Sequence, residues 1–150
     1  MGKMCTYQCE KCGYEIDIFE GIGFSFFELY EETINKIKVG SYGKEIQEQF
    51  NSDENTAVSC DKDVYFCSGC KEYANELTLS LYKPKGNHKE ICGIVMPNEC
   101  KDKKDYELLY EPPHICEICG TVKKRVNLMK IKKCPKCGSK VVMISHGWWD

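Results

Sequence analysis

The sequence predicts a small α+β protein, with short antiparallel strands gathered into two units and a helical hairpin inserted in the first. Three observations carry this. Four Cys-x-x-Cys pairs punctuate the chain, at Cys9/Cys12, Cys67/Cys70, Cys116/Cys119 and Cys134/Cys137. Between the first two pairs, over about residues 24–51, apolar side chains recur at helical spacing. Elsewhere apolar and polar residues alternate with the two-residue period of half-buried strands.

Met4–Cys9 is expected to be a strand entering the first cysteine turn, and Tyr14, Ile16 and Ile18 alternate with Glu15 and Asp17 in the strand that leaves it. Ser25 and Glu28 have capping-box spacing. Phe26, Tyr30, Ile34 and Ile37 then mark one face of a helix that Gly40 ends. A shorter helix is expected over Tyr42–Phe50, and its aromatic side chains are best read as hairpin core. Val58–Cys60 and Val64–Phe66 read as strand pieces, and Leu77, Leu79 and Leu81 alternate with Thr78, Ser80 and Tyr82 as a strand with one wet face. Pro84–Lys89 reads as a linker, Ile91–Met96 as a strand, Asn98–Asp105 as a charged loop, and Tyr106–Tyr110 as a strand closed by two prolines. Val122–Ile131 supplies a hairpin and Lys140–Ile144 a returning strand.

A Cys-x-x-Cys turn aims two sulfurs at one point, and two such turns make a tetrahedral cage of four sulfurs. Eight thiolates therefore imply two metal ions, with zinc expected ahead of iron. Neighbouring turns would pair as Cys9/Cys12/Cys67/Cys70 and Cys116/Cys119/Cys134/Cys137. Glycine follows Cys12, Cys119 and Cys137, where the backbone must turn its amides toward sulfur. The chain has 12 cysteines in 150 residues, a density that also invites disulfides. The paired spacing and the absence of an apolar leader favour metal in a reducing cytoplasm instead. Gly2 and Thr6 match the letters of a myristoylation signal, but the segment runs straight into the first cysteine turn, and lipidation is not expected. Cys5, Cys60, Cys92, Cys100, His88, His114 and His146 are left over. They are read as buried thiols and ordinary imidazoles, with His114 a candidate hydrogen-bond partner for a nearby sulfur.

Cys116-x-x-Cys119-Gly…Cys134-Pro-Lys-Cys137-Gly resembles a zinc ribbon with 14 residues between its turns, over about residues 110–145. The N-terminal unit resembles a ribbon whose hairpin is interrupted, with 54 residues between its turns. Tyr7–Asp17 is similar to the first iron loop of rubredoxins, and Lys133–Gly138 to the second. The resemblance implies small antiparallel zinc-ribbon (rubredoxin-like) units: an interrupted one over 1–90, carrying the helical insertion, and a basic one over 91–150. Its rubredoxin side implies a different grouping, in which Cys9/Cys12 share a metal with Cys134/Cys137. The grouping of neighbouring turns is the one expected, and the crossed grouping is its alternative.

Net charge is −2, but residues 116–140 carry eight basic side chains against Glu117 alone. Lys123, Lys124, Arg125, Lys130, Lys132 and Lys133 are candidate phosphate contacts. A solvated lysine face would explain the same pattern, and Arg125 is the only arginine available to read bases. Trp148 and Trp149 are either a docking element for a protein partner or a fold-back onto the terminal strand. The sequence has no apolar run near the roughly 20 residues of a membrane span. It also lacks the H-E-x-x-H, G-x-S-x-G and Walker patterns, and closed four-sulfur cages leave no position for a reacting water. The expected function is a non-catalytic, zinc-stabilised binding or adaptor protein for a protein or nucleic-acid partner. A rubredoxin-like iron electron carrier and a Cys-x-x-Cys thiol redox protein are the alternatives.

Overall fold

A computed structural model describes residues 2–23, 26–85, 105–127 and 130–149. Ser25, His88, Cys92, Cys100, the strand expected over 91–96, most of the linker and charged loop, and the boundary at 90–91 lie outside the described residues. The chain divides into two compact units built from separated segments. The first comprises Met1–Phe24, Lys62–Leu77 and Pro113–Asp150, and the second Ser25–Asp61 and Thr78–Pro112.

In the first unit, β1 (Gly2–Cys9) is the central strand of three. It pairs antiparallel with β2 (Glu15–Glu20) from Lys3↔Glu20 to Gln8↔Glu15. On its other side it pairs with the last strand of the chain, Val141–Trp149, from Gly2↔Trp149 to Cys9↔Val141, with an irregularity between Thr6 and Tyr7. Trp149 closes the far end. Its ring fills the space a Cβ on Gly2 would occupy, its Nε1 donates to the Glu20 carbonyl at 3.3 Å, and Lys62 lies 4.5 Å from its centroid. Of the two readings of the aromatic pair, Trp149 folds back, whereas Trp148 is 64% exposed.

The second unit holds both helices among the described residues, α1 (Phe26–Lys38) and α2 (Lys44–Asn51). α1 buries Phe26, Tyr30, Thr33 and Ile37, one stripe of the cylinder. It ends in a Schellman turn in which Ser41 N donates to Lys36 O at 2.9 Å and Gly40 N to Ile37 O at 3.0 Å. Gly40 has φ +78° there, as its place in the sequence predicts. α2 buries Ile46, and Gln47 Nε2 ties it to Lys38 O at 2.6 Å.

β3 (Ala57–Cys67) and β4 (Glu72–Pro84) are long and run from one unit into the other. The two strand pieces expected over 58–66 are therefore one. With β5 (Tyr106–Tyr110) and the two-residue β6 (Lys124–Arg125) they form a sheet in the order β5-β4-β3-β6. The terminal strand Val141–Trp149 is β7. The expected wet face of β4 is not found: Thr78 and Ser80 are each 2% exposed, and Ser80 Oγ donates to Glu111 Oε2 at 2.6 Å. Small hydroxyl side chains satisfied by hydrogen bonds pass as solvent-facing in an alternating pattern.

The fold class is thus corrected. The described residues form two sheets with two short helices, with strand predominating, rather than small zinc-ribbon units with an inserted helical hairpin. The strand expected to return within the C-terminal ribbon pairs with β1 instead, at the opposite end of the chain.

Candidate metal centres

All four Cys-x-x-Cys turns adopt one local shape. Gly13 N donates to Cys9 O at 3.1 Å, Lys71 N to Cys67 O at 2.9 Å, Gly120 N to Cys116 O at 2.8 Å and Gly138 N to Cys134 O at 2.9 Å. The residue after the second cysteine must take positive φ to close this turn. Gly13, Gly120 and Gly138 do so at +72°, +71° and +73°. Lys71 does the same at +57°, the one positive-φ residue other than glycine among those described.

Strand pairing then decides which turns meet. β1 leads into Cys9, β7 begins at Val141 just past Cys137, and Cys9 faces Val141 across the ladder. The first and fourth turns are thereby brought together. Likewise β3 ends at Cys67, and Phe66 and Tyr65 pair with Lys124 and Arg125 of β6. An Ile115↔Val122 bridge closes the hairpin carrying Cys116 and Cys119 just before β6. The second and third turns are thereby brought together.

The result is two groups of four sulfurs, Cys9/Cys12/Cys134/Cys137 and Cys67/Cys70/Cys116/Cys119, with the sulfurs of each within 4.8 Å of one another. This corrects the grouping of neighbouring turns and agrees with the grouping that the rubredoxin resemblance implies for Cys9/Cys12 and Cys134/Cys137. Both cages belong to the first unit. Cys9–Cys137 and Cys12–Cys134 are separated by 3.5 and 3.6 Å, and Cys67–Cys119 and Cys70–Cys116 by 3.4 and 3.7 Å. A tetrahedron with metal–sulfur bonds of about 2.3 Å has edges of about 3.8 Å. The sulfurs therefore stand close to the spacing that a zinc or iron ion requires, and each group could hold one metal ion.

The surroundings favour thiolate at one sulfur of each cage. The Thr121 hydroxyl and amide beside Cys119 bring its pKa down to about 6, and Ser139 does the same for Cys137. Cys9 and Cys134 are buried and belong to the first unit's core with Ile16, Ile18, Val64, Ile131 and Val141. Packing in the second cage is tight at Gly69, where a Cβ would stand 2.8 Å from Cys119 Sγ and 2.7 Å from Thr121 Oγ1.

His114 does not serve a sulfur through Nδ1. That nitrogen lies 2.7 Å from Glu76 Oε2, and the ring stacks on Tyr65 at 3.8 Å between centroids. Cys60 is fully buried, and burial pushes its thiol up to about 11. Only the two cages qualify as metal groups among the described residues.

The candidate phosphate contacts divide. Lys123 is 10% exposed and paired with Glu76, and Arg125 Nε lies 3.3 Å from Asp63 Oδ2. Lys124, Lys130, Lys132 and Lys133 are exposed. Sequence reading missed an apolar surface around the third turn. Ile115, Ile118 and Val122 are 55%, 85% and 56% exposed, and beside them lies an open cleft of about 770 Å³ lined by Tyr73, Leu77 and Glu76. Three branched aliphatic residues, Ile115, Ile118 and Val122, spread across and beside one cysteine turn were the available signal. No helix among the described residues is long and apolar enough to cross a membrane.

No family model matches the chain, and no curated protein or solved structure matches it.

Proposed function

We propose that the two cages hold zinc as structural ions and that the chain is a non-catalytic adaptor whose partner is a protein. The observation that carries the metal reading is the spacing of the sulfurs, 3.4–3.7 Å for two pairs in each cage. Four thiolates of this geometry close the coordination sphere, which suits a staple and leaves no site for a reacting water. The exposed Ile115, Ile118 and Val122, held on a cage rather than in a loose loop, support a docking role. A nucleic-acid partner has less support, since Lys123 and Arg125 are engaged by carboxylates. One observation favours the iron reading: the first cage unites the two turns that resemble rubredoxin loops.

Elemental analysis of protein made without added metal tests the reading. Two zinc ions per chain support it; a red protein with visible charge-transfer bands and iron replaces it with the electron carrier. Binding to mixed single- and double-stranded nucleic acid across a salt series tests the partner. Affinity that falls steeply with salt, and drops when Lys124, Lys130, Lys132 and Lys133 are neutralised, would replace the protein partner by nucleic acid.

A further inference from the structure

One carboxylate ties together residues that neighbour the cysteines of both cages. Glu72 lies two residues past Cys70, on the strand leaving the second cage. Its Oε2 accepts a hydrogen bond from the Tyr14 hydroxyl at 2.5 Å, and its Oε1 accepts one from the Lys136 ammonium. Tyr14 follows Cys12 by two residues, and Lys136 stands between Cys134 and Cys137. Both partners therefore come from the two turns that build the first cage. Lys136 also reaches the Cys70 carbonyl at 3.5 Å, and its ammonium lies 5.5 Å from the centre of the Tyr14 ring. Three of the four cysteine turns converge on this one side chain.

We propose that Glu72 couples the two cages, so that metal in one raises the affinity of the other; this rests on reading both as metal sites. A metal in the first cage fixes the Cys9–Cys12 and Cys134–Cys137 turns against each other. That brings Tyr14 and Lys136 to one place and presents Glu72 with both partners already ordered. Glu72 in turn fixes the start of β4, where the chain leaves Cys70. The second metal then meets a turn whose conformational entropy is already lost, which is positive cooperativity without any moving domain. The coupling is reciprocal by thermodynamic necessity. Charge points the same way. Four thiolates around a divalent ion leave a net negative cage, and two such cages repel. The Lys136 ammonium, placed between the turns, offsets that repulsion.

Native mass spectrometry of the full chain, loaded to half saturation with zinc, reads the coupling from the share of one-metal species. Independent equal sites give about half of the chains with one metal, and independent unequal sites give more. A tenfold coupling lowers that share to about a quarter. The wild-type chain should fall near that value. Glu72→Gln should raise the share to half or above while two zinc ions still bind at saturation. Tyr14→Phe, which removes one hydroxyl and no charge, should move it in the same direction. A wild-type share of half or more overturns the proposal, as does an unchanged share in both variants. A chain that takes up no zinc fails the metal reading itself, and the two failures are distinguishable in one spectrum.

Discussion

At the centre of the first unit stand cysteine sulfurs grouped closely enough to hold metal; the second unit buries chiefly aliphatic and aromatic side chains, with a few small polar ones. In the first, Cys9 and Cys134 occupy core positions beside Ile16, Ile18, Val64, Ile131 and Val141, so the cage is part of the core. In the second, α1 and α2 bury Phe26, Tyr30, Ile37 and Ile46, and Ala57, Val58, Leu79 and Leu81 are buried on the strands. No cage ligand lies in this unit among the described residues. The first unit joins the two ends of the chain and a hairpin from its middle, so its order depends on contacts of long sequence separation. Such contacts are entropically costly to form, and a metal bound in each cage would offset that cost at the point where distant segments meet. The second unit draws on helices, whose hydrogen bonds are local.

Metal removal should separate the units most strongly. Structural zinc contributes about 10 kcal/mol or more per site in small domains, which matches or exceeds the whole stability of many domains. Both tryptophans belong to the first unit, and both described helices to the second. Chelation should therefore shift tryptophan emission toward that of solvated indole while most of the ellipticity at the helix minimum survives. Loss of both signals in parallel would show that the second unit's core does not stand without the cages.

The grouping of the cysteine turns is tested by a pair of substitutions of nearly the same size of effect. Cys9→Ser and Cys134→Ser should each cost one metal at saturation, and the double variant should also keep one. Substitutions in a shared site are not additive. If neighbouring turns were grouped, the double variant would lose both metals. Metal counted by mass spectrometry decides.

The sequence made the eight sulfurs legible, and their grouping only through the rubredoxin likeness of the first and fourth turns. Spacing, and the glycines after Cys12, Cys119 and Cys137, mark eight sulfurs as turns of one kind. Which turns meet is set by strand pairing, and adjacency along the chain is a poor guide to it. β7 pairs over its length with β1, although the span from Val141 to Trp149 carries no Lys, Arg, Asp or Glu and is long for a ribbon's returning strand. That uncharged stretch was the overlooked signal for a strand with a larger role. The helices were legible because their periodicity is local. The burial of both faces of β4 was hidden by Thr78 and Ser80. The cluster at Glu72 had no sequence signal, since its members are 58 and 64 residues apart.

The mirror experiment weakens the second unit alone. Ile37 is fully buried in α1, and Ile37→Ala should cost about 2–5 kcal/mol from lost contacts and the cavity left behind. Helical ellipticity should melt at lower temperature while the chain still binds two metals. A fall in metal stoichiometry would show that the cages depend on the hydrocarbon core.

The smallest effect is expected at Lys71, and it is a gain. The other three turns place glycine where φ must be positive, and the turn after Cys70 places an exposed lysine there at φ +57°. A side chain in this region costs about 1–2 kcal/mol. Glycine would relieve that, but it also frees the unfolded chain, which takes back about 0.5–1 kcal/mol. Lys71→Gly should therefore stabilise the second cage by about 1.5 kcal/mol at most. Among the described residues the Lys71 ammonium makes no ion pair that the substitution would break, and its amide bond to Cys67 O is kept by any residue. Competition with a chelator of known affinity should show metal at Cys67/Cys70/Cys116/Cys119 held up to about tenfold more tightly. Weaker binding would mean that the lysine contributes something to the cage beyond its backbone.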